Sequence, residues 1–425
     1  MIERISVKGG SLFFVIVISI VLAIITTNIL LVIYFQLNLV SEHTRKQKLA
    51  ANLQSGINIT LEWRNTHQTR IDTTFDLYRL GSDSLSIKIL NWGLFDIGIV
   101  DVADGKWHER KLFLFGSSLP DSLNKSIYLT DLDRPLTISG ETQITGNASL
   151  PKAGIRAGSA DGFNYTGESL INGKQYLSGH SLPKLNKEWL IPYFEILSQS
   201  NLQSSSSKKI NHTTPGNIVF NPFSDSTLYY TSQDTIILNH INFSGNIRIY
   251  SAKEIKVDST VTLNDIILIA PKIIFKGHFS GVVQAFASDS LVIEENCSFN
   301  YPSALVLLKD SINRGQPVLD IGSNNTIQGI ILSQCQKKDI NLTIIRIGRK
   351  TSVEGIIYCN GYLDLSGIIA GIVCTDNFIH KGSSTIFENY LINARVNRLA
   401  LSKFYVGSSL FFDDNPDRKV IKWLN

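Results

Sequence analysis

The sequence predicts a mostly β chain: an N-terminal transmembrane α-helix, a small α+β region and then a β-solenoid (β-helix) body. Three observations predict it. Residues 12–35 are apolar except for Ser19, Thr26, Thr27 and Asn28, and no charged residue lies between Lys8 and Glu42. The rest of the chain is poor in charge and rich in Ile, Ser, Asn and Gly, at β-type spacings. Within it, Ile255, Ile273 and Leu291 stand 18 residues apart, as do Val257, Phe275 and Ile293, and Ile249, Ile267 and Ala285. One period in three registers is the mark of stacked coils that repeat the same inward positions.

Taken in order, residues 1–11 form a short head and 12–35 the span. As a helix the span is about 36 Å long, enough for a hydrocarbon core of roughly 30 Å. It is longer than the apolar core of a cleaved signal peptide, and no A-x-A pattern follows it. Arg4 and Lys8 precede the span, and Arg45, Lys46 and Lys48 follow it, so the positive-inside rule does not orient it. Short-headed N-terminal anchors usually export the large domain, which places the body outside the cytoplasm. In residues 36–125, Leu49, Leu53, Ile57 and Leu61 recur every fourth position, one stripe of an amphipathic helix. Leu85, Ile87 and Ile89 then alternate, and Asp104-Gly105 makes a two-residue hairpin turn between apolar runs. A small antiparallel sheet is expected there.

Residues 130–216 begin with Leu132, Ile138, Ile144 and Leu150 at six-residue spacing, shared by Gly140 and Gly146. That suits short strands on successive faces with glycine corners. From 151 the region turns Gly/Ser/Lys-rich and reads as loop, ending in Ser204-Ser205-Ser206-Ser207-Lys208-Lys209. Residues 217–386 are the solenoid proper, with Gly329-Ile330-Ile331, Gly355-Ile356-Ile357, Gly367-Ile368-Ile369 and Gly371-Ile372-Val373 repeating a small-then-branched pattern. In 387–425, Leu391, Ala394, Arg395, Arg398 and Leu399 stand at helical spacing and suggest a cap over the open strand edges.

The start of the chain resembles type IV pilus-assembly (minor-pilin-like) membrane proteins. Lys8-Gly9-Gly10-Ser11-Leu12 leads into the apolar run, and Ala50-Ala51-Asn52-Leu53-Gln54-Ser55-Gly56-Ile57 is similar to the continuation of such a helix. The chain lacks the Glu that classical major pilins carry five residues after their Gly cleavage site, so the likeness does not extend to prepilin processing or ordinary filament packing. The body is similar in architecture to bactofilin-like and other β-helical surface proteins. The resemblance implies partnership with a lipid bilayer and with envelope or pilus-like subunits.

Composition narrows the chemistry. Forty basic residues against 36 acidic leave a formal charge of +4 with no Lys/Arg block, which gives nucleic-acid binding no support. Cys297, Cys335, Cys359 and Cys374 contain no C-x-x-C, which disfavours zinc ribbons and thioredoxin-like chemistry. They read as buried strand thiols, with a disulfide or a reactive thiol as alternatives. No nucleophile-elbow, zincin or P-loop pattern occurs, and the eight histidines are scattered. The sequence thus assigns no catalytic, cofactor-binding or metal residue and no cofactor. Parallel β-helices often carry polysaccharide lyases and hydrolases, which need convergent acids. Asp339, Arg346, Arg349, Lys350, Glu354 and Asp364 come nearest, and read as solvated charge at coil edges. Glu294-Glu295 points to opposite faces of a strand, and Asp413-Asp414 runs into a turn. Trp63, Trp92, Trp107, Trp189 and Trp423 read as core. Two functions remain: an exported structural or adhesive envelope protein, pilus- or secretion-associated and not an enzyme, or a membrane-tethered polysaccharide-active enzyme. A scaffold that polymerises end to end is a third.

Overall fold

In the computed structural model, α1 (Gly10–Glu62) is one unbroken helix. The structure describes residues 10–63, 70–76, 83–198, 207–209, 218–309, 315–336, 341–382, 385–411 and 417–424. The chain divides into two units: residues up to 60 with 72–88 and 99–111, and residues 61–71, 89–98 and 112 onward.

In the first unit, α1 changes character along its length. From Leu12 to Val40 its large apolar side chains are all exposed. The polar residues of this stretch turn inward on the helix itself. Ser19, Thr26, Thr27 and Asn28 donate to the carbonyls of Val15, Leu22, Ala23 and Ile24 at 2.7–2.9 Å. That removes their demand for water, as an apolar environment requires. Further on, Leu49, Leu53 and Ile57 are buried as the four-residue stripe predicts, together with Asn52, Gly56 and Thr60. Gly56 allows close packing there, since a Cβ would lie 2.6 Å from side-chain methyls of Leu85 and Val100, which would have to shift.

The antiparallel sheet expected before residue 125 is present as β1 (Arg70–Phe75), β2 (Asp83–Trp92), β3 (Phe95–Asp104) and β4 (Trp107–Ser117), in that order. Its fifth strand, Arg418–Leu424, returns from the chain's end to pair antiparallel with β4. Periodicity carries no signal for so remote a pairing.

The second unit is dominated by parallel strands that close on themselves into a barrel. Ile255, Ile273 and Leu291 do stack, in a column that runs from Ile236 through Leu319, Ile345 and Leu363 to Phe378. Val257, Phe275 and Ile293 also stack. The third register needs correction. Leu268, not Ile267, stands between Ile249 and Ala285. Beyond Ser244 the partners stand 19 residues apart instead of 20, and beyond Asp265, whose φ is +61°, 17 instead of 18, so the two steps from Ile249 to Ala285 are unequal. A one-residue slip turns a side chain to the opposite face, so Ile267 pairs with Arg248 and Gln284 instead.

Ile267 is nevertheless buried, because that outer face is covered too. Tyr193 of α2 (Ile191–Ser198) stacks on Phe286 at 3.9 Å. The Gln284 amide accepts from Leu94 N at 2.7 Å and donates to Trp92 O at 3.1 Å. Burial on both faces explains the continuous apolar runs at 266–270 and 304–308. Gly329, Gly355 and Gly371 form one column in register, whereas Gly367 lies outside it.

The six-residue series is inward at Ile138, Ile144 and Leu150, while Leu132 is exposed. Gly140 and Gly146 turn its corners at positive φ. These short strands extend the stack: the strand containing Val373 pairs with Ile127–Leu129, and that in turn with Ala148–Leu150. Residues read as loop also join it, since Gln175–Leu177 pairs with Ala148–Leu150 and Ser207–Lys209 with the strand at Tyr229. Residues 204–206 lie outside the described residues. The helical reading of the C-terminal region is overturned. Ile386–Glu388, Tyr390–Ile392 and Arg395–Asn397 are strands, and the last two pair with Leu136–Ser139 and Gln143–Thr145. Leu391 and Ala394 are buried and Leu399 is 76 % exposed, a pattern of coil positions and not of a helix face. Of the tryptophans, Trp92 is core and Trp423 is 55 % exposed.

Candidate functional site

Two places in the second unit gather side chains with chemical potential. The first is a cavity of about 210 Å³ lined by Tyr301, Gln328, Glu354, Ser402, Phe404 and Tyr405. Gln328 and Glu354 are register partners on adjacent parallel strands, which sets their side chains side by side. The Gln328 amide donates to Glu354 Oε2 at 3.0 Å. The Tyr301 and Tyr405 rings stand 5.6 Å apart at 53°. Their hydroxyls are directed away from each other, to Val406 O at 2.7 Å and Gly329 O at 2.9 Å. Burial pushes both phenols above their ordinary range, so they stay neutral. A tight turn follows Ser402, which accepts from Phe404 N at 3.2 Å and whose carbonyl accepts from Tyr405 N at 3.1 Å. That turn leaves the Phe404 ring 92 % exposed.

The second is a column of alternating charge. Asp320, Arg346 and Asp364 are register partners on successive strands. His380 faces Asp364 through Nδ1 at 3.7 Å and Asp161 through Nε2 at 3.1 Å. Burial raises the Asp364 carboxyl above its ordinary value, and His380 and Arg346 oppose that rise. His380 Nε2 is within hydrogen-bond distance of Asp161, whereas Nδ1 stands beyond that distance from Asp364. The group links neighbouring strands.

The residues nearest to a catalytic grouping in the sequence are thus dispersed. Arg346 and Asp364 share the charged column, and Glu354 lies in the cavity. Lys350 occupies a corner at φ +60°, and the carbonyl of Arg349 accepts from Asn324 N at 3.2 Å. Asp339 and Asp413-Asp414 lie outside the described residues. Glu294 is engaged by Lys276 at 2.7 Å and by Gly277 N, which hold its carboxyl below the usual range. Among the described residues no group of three or more His, Cys, Asp or Glu is placed to hold a metal ion. All four cysteines are buried and unpaired. Burial pushes the Cys359 and Cys374 thiols up to about 12, against thiolate reactivity. Sequence reasoning missed Asp161, His380, Tyr301, Phe404 and Tyr405. Their partners lie up to 219 residues away along the chain, as for Asp161 and His380, and no local pattern announces them.

No family model, no curated protein and no solved structure matches this chain.

Proposed function

We propose that this chain is a membrane-anchored, exported structural or adhesive envelope protein, pilus- or secretion-associated, whose parallel stack is a β-solenoid presented outside the cytoplasm. The observation that carries the reading is α1. It is long and apolar enough to cross a membrane, and its most apolar stretch is wholly exposed. Fifty-three residues of helix extend about 80 Å. The first half suits lipid, and the second half, buried at Leu49, Leu53 and Ile57, is fixed to folded protein. The buried, unpaired cysteines also fit a structural role. The partners on this reading are the bilayer and envelope or pilus-like subunits.

Alkaline carbonate extraction of membranes, followed by protease treatment of intact and permeabilised cells, tests the proposal. The full-length chain should stay with the membrane, and the body should be cut in intact cells. Release by carbonate overturns the anchor, and cleavage confined to permeabilised cells overturns the export. The rival reading, a tethered polysaccharide-active enzyme, rests on the acids around His380. Turnover of any member of a panel of acidic and neutral polysaccharides, abolished by Asp364→Asn, would establish it.

A further inference from the structure

We propose that the cavity bounded by Tyr301, Gln328, Glu354, Ser402, Phe404 and Tyr405 binds a small organic ammonium group. This goes beyond the envelope role and does not depend on it. Three aromatic rings and one carboxylate surround the space. Because both tyrosine hydroxyls are donated to backbone carbonyls, these rings offer the cavity their π-systems and no phenolic donor. A cation over such faces is attracted by the ring quadrupole, the more so when desolvated. Glu354 supplies the counter-charge. Its Oε2 accepts from Gln328, and it forms no ion pair among the described residues. No basic side chain lines the space, and Lys403, exposed on the same turn, is not among the lining residues.

The alternatives fit less well. An anion would meet the Glu354 carboxylate with no cation to offset it. A sugar needs several directed donors and acceptors around its hydroxyls, and only Ser402, Gln328 and Glu354 offer any. A volume of about 210 Å³ accommodates a trimethylammonium head or the end of a lysine side chain. One wall is also pre-organised. Tyr405 Oη is tied to the Gly329 carbonyl, and a Cβ on Gly355 would lie 2.9 Å from that same Oη, so the ring is seated against the glycine column. Pre-organisation limits the ordering entropy that binding must overcome.

The test titrates the full-length chain, in a detergent with neither sugar nor ammonium head groups, with choline, tetramethylammonium and Nα-acetyl-lysine amide. Glucose and sodium chloride serve as the neutral and simple-salt probes, and calorimetry or saturation-transfer NMR is the readout. At least one ammonium probe should bind, and the comparison of choline with the lysine amide tells a quaternary ligand from a side chain. Glu354→Gln should weaken binding by roughly tenfold, and Phe404→Ala, at an exposed ring, by roughly two- to fivefold. Phe404 is 92 % exposed, so its loss leaves the fold intact. Tyr405→Phe, which removes only the outward-directed hydroxyl, should keep the affinity. Absence of ammonium binding at tens of millimolar overturns the proposal. So does binding unchanged in both Glu354→Gln and Phe404→Ala, or glucose bound in preference.

Discussion

The glycine column offers a test in which two physical effects separate. At Gly355, φ is +146°, and a Cβ would sit 1.9 Å from the carbonyl oxygen of Gly329. Ordinary contact begins near 3.4 Å, so an alanine would intrude by about 1.5 Å on a hydrogen-bonded backbone. Strands in the hydrogen-bonding direction are only about 4.8 Å apart, so the neighbouring coils would have to separate by nearly a third of that spacing. Gly371 meets the Gly355 oxygen at the same 1.9 Å, but its φ lies outside the left-handed range. Gly162 has a φ of +81° and nothing within 4 Å. Backbone strain at a positive φ costs about 1–2 kcal/mol for an L-residue, and overpacking in a close-packed region about 1–3 kcal/mol. Gly162→Ala should therefore lose about 1–2 kcal/mol, Gly371→Ala about 1–3 kcal/mol, and Gly355→Ala about 2–5 kcal/mol. Denaturant titration of the full chain in detergent, followed by far-UV circular dichroism, gives the midpoints. A chain of two units need not unfold in one step, so the comparison is of midpoint order under identical conditions. If Gly355→Ala is no worse than Gly162→Ala, the close stacking of these glycines is wrong.

Two further outcomes are expected. Ile273 is fully buried in its column, so Ile273→Asp should cost several kcal/mol by placing an unpaired charge in the core; an unchanged thermal midpoint refutes the column. Asp96 is buried, which raises its carboxyl from 3.8 to about 7, with Arg418 acting in the opposite direction. Between those values the folded chain keeps a proton that the unfolded chain has released. Stability should therefore fall as pH rises from about 4 to 7, by up to about 4 kcal/mol. Carboxylates held low, such as Glu294 and Asp417, act with the opposite sign at lower pH. The difference between the wild-type chain and Asp96→Asn therefore isolates Asp96, and parallel pH profiles would refute its burial as the ionising group.

Local chemistry determined the long apolar helix, its amphipathic continuation, the hairpin at Asp104-Gly105 and two of the three 18-residue registers. Each depends on residues near in sequence or on a constant repeat, and hydrophobic burial imposes such periods directly on the chain. Where the repeat slipped by one residue at Ser244 and Asp265, the sequence pattern at Ile267 misled, because both faces of that strand are buried and either assignment looks equally apolar. Helical spacing at 387–401 misled for a related reason. Short strands separated by corners bring apolar residues back at intervals that mimic a helix, and only pairing partners distinguish the two. The cavity, the clasp of His380 between Asp161 and Asp364, and the return of Arg418–Leu424 to β4 were decided by the tertiary structure alone. The clasp forms where residues near 130–180 meet those near 370–400, and the cavity where the turn at 402–405 meets the strands of Tyr301, Gln328 and Glu354. Side chains that meet only across such long separations share no spacing along the chain, so their chemistry is invisible until the strands are paired.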